Sequence, residues 1–209
     1  MKKVLFFIII FSVTSFADVE ERRDKILKLI DSEVQEISRL VKQTRGSNPN
    51  FILRLSELYF EQARLLHERE LDRFKNLSSE QKDAIDKRSF YAESRNKFEN
   101  AQKTAKFLLK NYPRYPQKGD VYYILAKNSM EFQDTKSASE YFTKAYSNAG
   151  ANDELKEKAG VSMAENYYNN KKYAQAIPLY EKALVGKKDK WWTKDAYNLA
   201  WCYYRTHNY

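Results

Sequence analysis

A single cysteine, Cys202, stands in the 209 residues, so the chain can form no internal disulfide and its stability has to come from packing. Five glycines and four prolines are too few for the many tight turns of an all-β fold. The two histidines, His67 and His207, lie far apart in the chain. His67 neighbours Glu61, Glu68 and Glu70, yet no second soft ligand stands at helical spacing from it, so no zinc site is expected. The chain has no glycine-rich phosphate loop, no G-x-S-x-G and no H-E-x-x-H. Its acidic residues are scattered among lysines, as on a solvated helical surface. The residues therefore point to no enzyme, no cofactor and no metal.

Long apolar runs are also missing. Residues 4–11 form an unbroken apolar stretch, short of the ~20 residues that a bilayer-spanning helix needs. Lys2 and Lys3 precede it, and Ser15 and Ala17 give it a small-x-small exit. Residues 1–17 thus read as a signal peptide cleaved after Ala17. No cysteine lies near that cut, so no lipid anchor is expected. The formal charge is +9, which suits acidic partners or anionic surfaces. Nucleic acid is not expected as a partner of an exported protein.

What the chain does have is internal repetition. Residues 138–146 read A-S-E-Y-F-T-K-A-Y, and residues 173–184 read Y-A-Q-A-I-P-L-Y-E-K-A-L. With Ala176 set on Ala138, Tyr180 falls on Phe142 and Ala183 on Ala145. Upstream, Met163-Ala164 matches Leu125-Ala126, and Leu199-Ala200 supplies a third copy, with Tyr203 following it as Tyr167 follows the second. Spacings of three and four place these residues on one helical face. The alanines let helices approach closely, and Tyr122, Leu125, Phe142, Met163, Tyr167, Tyr180, Leu199 and Tyr203 fill the grooves between them. Residues 169–172 are polar and short, as a turn between antiparallel helices requires. Pro178 is expected early in its helix, where a missing N–H costs least.

This order of large, small and aromatic positions resembles the tetratricopeptide repeat (TPR) family, whose unit is roughly 34 residues long. The resemblance implies an all-α fold, a right-handed TPR-like helical solenoid. Its array would cover residues 119–209, with repeats from about Gly119, Glu157 and Thr193 and insertions at residues 150–154 and around Asp189. The last repeat is incomplete, since Tyr209 aligns with Tyr173, and the array is expected to continue.

Upstream of the array the helical pattern is less regular. Leu55, Leu58, Tyr59, Ala63 and Leu66 form one apolar stripe, and Ser78 to Gln81 have the form of a capping box. One helix is expected from there to Asn111, carrying Tyr91, Phe98, Ala101, Ala105, Leu108 and Tyr112. Residues 50–118 thus read as a long, atypical helical hairpin that opens the solenoid. Residues 18–45 read as an amphipathic helix with Ile26, Ile30, Val34, Ile37 and Val41 on one side, closed by the G-S-N-P turn at 46–49. Two uses are open to it: packing on the hairpin, or self-association as a short coiled coil.

The layout of signal peptide, amphipathic helix and repeat array resembles periplasmic TPR proteins of bacterial envelope machines, of the cell-division and motility type. That resemblance implies a periplasmic interaction scaffold whose partners are other envelope proteins. In the family, first helices of repeats line a concave groove that holds a peptide or helix. The corresponding positions are Tyr123, Lys127 and Met130; Glu165, Tyr168 and Asn169; and Lys194, Tyr197, Trp201, Tyr204 and Arg205. Rigid aromatics there would bury area at little entropic cost. Of the family's basic carboxylate-clamp positions, Tyr123, Lys127, Ser162, Lys194 and Asn198, only Lys194 fits. The alternative is docking on an anionic lipid or glycan surface through Lys103, Lys106, Lys110, Arg114 and Lys118, and through Lys187, Lys188 and Lys190.

Overall fold

The computed structural model describes residues 2–185 and 191–207, with side chains from Val19 onward. The expected signal-peptide side chains, the insertion around Asp189, the cluster Lys187, Lys188 and Lys190, and Tyr209 lie outside the described residues. Among the described residues there are ten helices and no strand: α1 (Lys2–Gln43), α2 (Pro49–Lys75), α3 (Ser79–Ala84), α4 (Lys87–Phe90), α5 (Ala92–Asn111), α6 (Lys118–Glu131), α7 (Thr135–Asn148), α8 (Asp153–Asn169), α9 (Tyr173–Leu184) and α10 (Trp192–Thr206). They fall into two compact units, Met1–Thr104 and Ala105–Tyr209.

In the first unit, α1 and α2 form an antiparallel hairpin. Arg23 pairs with Asp72 at 2.8 Å, Leu27 packs on Leu65 and Leu66, and Glu33 accepts from Arg54 at 2.7 Å, so positions rise on one helix as they fall on the other. The turn between them needs left-handed backbone at Arg45 and Gly46 (φ 48° and 71°), and Gly46 suits it because it carries no Cβ. Asn48 then caps α2 by accepting from the Asn50 N–H at 3.0 Å, with Pro49 in the first helical position. The apolar face of α1 differs by one residue from the expected one: Leu27 is buried and Ile26 is 46% exposed.

Against the other side of α2 lies α5, also antiparallel. Ser56 donates to the Ala101 carbonyl at 2.9 Å, Phe60 meets Phe98 with centroids 5.6 Å apart, and His67 meets Tyr91 at 5.3 Å. The buried Glu70 carboxylate accepts from the Ser94 N–H and hydroxyl in the first turn of α5, where a negative charge offsets the orphan N–H groups. The expected single helix from residue 79 to 111 is broken. The Ser78–Gln81 capping box does form, but α3 ends at Ile85, whose backbone is extended (ψ 128°). Asp86 restarts the chain by accepting from the N–H groups of Arg88 and Ser89, the competition with helix that short acidic side chains offer.

In the second unit, α6 to α10 pack each on the next, and α6 also touches α8. Tyr122 stacks on Tyr141 at 6.3 Å, Asn166 donates to the Ser139 hydroxyl at 2.8 Å, and Asn198 donates to the Tyr180 hydroxyl at 3.2 Å. The repeat register explains the core. Ala126, Ala138, Ala145, Ala164 and Ala176 are fully buried beside Leu125, Phe142 and Tyr180. Ala183 is only half-buried and Ala200 is exposed, because each sits on a face that no described helix covers. Helix α8 begins at Asp153, one turn before the position that the register suggests, because Asn152 accepts from the Leu155 N–H and caps it there. Pro178 lies in the interior of α9, beyond the first turn, so its missing N–H does remove a helical bond to the Ala174 carbonyl. Gly119 is required by packing: a Cβ there would lie 2.7 Å from a Leu155 methyl and 3.0 Å from the Asn148 carbonyl oxygen.

Candidate functional site

In the second unit, α6, α8 and the start of α10 enclose a cleft of about 910 Å³. Helix α6 touches α8 directly, and Lys194 of α10 reaches Glu165 of α8, so the three helices meet at this face. The α6 side supplies Tyr123 and Lys127, α8 supplies Glu154, Glu157, Lys158, Val161, Ser162 and Glu165, and the start of α10 supplies Trp191, Lys194 and Asp195.

The polar groups of the cleft are organised in pairs. Lys158 binds Glu154 at 2.5 Å, and the Glu154 carboxylate holds the Lys158 ammonium above its ordinary pKa. Lys194 binds Glu165, with Asp195 3.8 Å away. Burial, the largest single influence, works against the Lys194 charge, but the hydrogen bonds and charges of Glu165 and Asp195 together outweigh it and raise the pKa. The same ammonium sits 5.4 Å from the centre of the Trp191 ring, within cation–π range. Tyr123 and Ser162 share a hydroxyl–hydroxyl bond of 3.3 Å that ties α6 to α8. Lys127 has no carboxylate within 4 Å among the described residues, so its charge is available to a ligand. The described residues of the cleft therefore offer aromatic surface and charges of both signs, and none of them is a nucleophile held by a base.

Four of the eleven sequence-expected groove residues meet here: Tyr123, Lys127, Glu165 and Lys194. The other seven lie elsewhere. Met130 packs against the core of Ala126, Ala138 and Phe142. Tyr168 packs on the cluster of Ala164, Ala176, Tyr180 and Cys202 and meets Tyr173 edge-on at 5.9 Å. Asn169 is exposed at the end of α8. Tyr197, Trp201 and Tyr204 are exposed along α10, with the last two rings 5.5 Å apart, and the Arg205 guanidinium lies 5.6 Å from the Tyr173 ring. Residues that the repeat register did not single out, chiefly Val161, Lys158 and Trp191, line the cleft instead. Lys158 follows Lys127 and precedes Lys194 on successive first helices, a signal that the early start of α8 obscured.

Elsewhere, the basic positions near the end of α5 are partly engaged. Lys103 pairs with Glu99 at 3.7 Å, and Lys118 donates to the Pro113 carbonyl at 2.8 Å, while Lys106, Lys110 and Arg114 are exposed. His67 stands 3.9 Å from Glu70. No group of three or more His, Cys, Asp or Glu among the described residues is placed to hold a metal. No helix among them is long and apolar enough to cross a membrane.

No family model matches the chain, and no curated protein matches its sequence. Among solved structures, the crystal structure of BtubC (BKLC) from P. vanneervenii is similar, with a TM-score of 0.50 and 15% identity over 89% of this chain and 85% of that one. At that identity the likeness speaks to architecture alone, and it agrees with the stacked helix pairs in showing an all-α helical-repeat fold.

Proposed function

We propose that this chain is a non-enzymatic TPR scaffold of the cell envelope that binds a peptide or helix segment of another envelope protein. The observation that carries the reading is the cleft on α6, α8 and α10, whose volume of about 910 Å³ fits several side chains of a ligand. Tyr123 and Trp191 supply rigid aromatic surface, and Lys127 supplies a charge for an acidic group of the ligand. The basic start, apolar run and small-residue exit of residues 1–17 support export to the periplasm.

The test is a pull-down from envelope extract with the full chain and with a Tyr123→Ala, Lys127→Ala, Trp191→Ala variant of equal helicity. A protein held by the first and released by the second, in a complex that tolerates salt, supports the cleft. Equal capture by both sinks it. A complex lost steeply with salt in both would move the function to the basic helix faces.

A further inference from the structure

Gly160 has no evident purpose inside its own chain. It lies in the middle of α8, where glycine is a poor helix former, and its backbone is not left-handed. A Cβ built there meets nothing within 4 Å, whereas Gly119 is crowded by Leu155 and Asn148. The absent side chain leaves open space in a second cavity of about 540 Å³, bounded by α8, α9 and the end of α7. That volume is typical of small-ligand sites, roughly 300–1,000 Å³.

The chemistry of this cavity is divided. Val161, Leu179, Ala183 and Val185 give it an apolar lining. At its polar side, the Lys182 ammonium donates to the Tyr146 hydroxyl at 2.5 Å and lies 5.2 Å from the centre of its ring. Once the Tyr146 oxygen accepts that bond, the phenol O–H and two ammonium hydrogens remain as donors. No carboxylate stands within 4 Å of Lys182 among the described residues. The other lysine on the rim, Lys156, is already paired with Asp153 at 3.5 Å. Glu157 adds a negative charge on the side shared with the first cleft, so an anionic head is favoured at Lys182 and not along the whole rim.

We infer that this cavity binds a free single-chain carboxylate amphiphile, of the medium-chain fatty-acid class, with its chain over Gly160 and its head on Lys182 and Tyr146. A carboxylate supplies only acceptors, which is what the converging donors lack, and an unbranched chain can lie where a Cβ would stand. The site is independent of the peptide reading, because Lys127 lines only the first cleft and Lys182 only the second.

The experiment is calorimetric titration of the full chain with decanoate and with 1-decanol, both below aggregation. Saturable binding of one decanoate per chain is expected. Lys182→Gln should weaken decanoate at least tenfold and leave decanol within twofold. Gly160→Leu should abolish both without lowering the melting temperature, and Lys127→Ala should change neither. Absence of saturable decanoate binding overturns the inference, as does an affinity that either Lys182→Gln or Gly160→Leu leaves unchanged. Attachment to phosphatidylglycerol vesicles that Lys182→Gln abolishes and decanoate does not displace would overturn it as well, by assigning the donors to a bilayer surface.

Discussion

Replacing Gly119 by Ala and, separately, Gly160 by Ala places the same methyl group in α6 and in α8, and the structure gives the two changes opposite signs. At Gly119 the new carbon would lie 2.7 Å from Leu155 Cδ2, which can swing away, but also 3.0 and 3.1 Å from the Asn148 carbonyl oxygen and carbon. Those atoms belong to the last turn of α7 and cannot move without disturbing its packing on α6. Overpacking of this kind costs about 1–3 kcal/mol. Gly119 is only the second residue of α6, so the helical gain from alanine falls well short of the ~1 kcal/mol seen mid-helix. The net expectation is a loss of about 1–2 kcal/mol. At Gly160 no contact opposes the methyl, and about 0.5–1 kcal/mol is gained. For a chain of this length each kcal/mol moves the melting temperature by about 2–4 °C. Circular dichroism during urea and thermal unfolding reads both, with an unchanged urea slope showing that stability and not cooperativity has moved. A Gly119→Ala variant as stable as the parent would refute the close approach of α6 to the α7–α8 turn.

Three further outcomes follow from buried and hydrogen-bonded groups. Cys202 is fully buried and burial raises its thiol pKa, so a thiol reagent should leave it untouched in the native protein and modify it on unfolding, as absorbance at pH 8 would show. Glu70→Ala should cost about 1–3 kcal/mol, because it leaves the Ser94 N–H unpaired and its hydroxyl only the Tyr91 carbonyl in the first unit, and Glu70→Gln should cost less; urea midpoints decide. The carboxyls of Asp72 and Asp134 are held below their ordinary 3.8, Asp72 first by hydrogen bonding from Arg23 and Asp134 first by hydrogen bonding from Ser137. Their contribution is present above about pH 4 and lost as the pH falls through the lowered folded values, so Asp72→Asn with Asp134→Asn should flatten the acid limb of stability below about pH 4.

The stacked core was legible because its signal is chemical and local. A helix pair can approach closely only where alanine or glycine stands, and Ala126, Ala138, Ala164 and Ala176 mark those places at helical spacing. The break at Ile85 and Asp86 was not legible, because Asp86 can sit on a helix surface or cap a new helix with the same neighbours in sequence. Helix α8 began earlier than the register implied for a similar reason: Asn152 reads as part of a loop until its side chain is seen on the Leu155 N–H. The cleft was half legible. Tyr123, Lys127, Glu165 and Lys194 follow from the face of the first helices, whereas Met130 and Tyr168 were drawn into packing by their neighbours Phe142 and Tyr173. Trp191 was not legible as a cleft residue because it precedes α10: its spacing places it beside Lys194, but only the fold brings the pair to α6 and α8.

Site-specific photo-crosslinking in growing cells tests the central claim most directly. p-Benzoylphenylalanine would be placed at the position of Tyr123 or Trp191 in the cleft, and at exposed Phe107 on α5 as the control. One discrete adduct to an envelope protein is expected from both cleft positions and none from position 107. Adducts from position 107 alone, or the same adduct from all three positions, would contradict it.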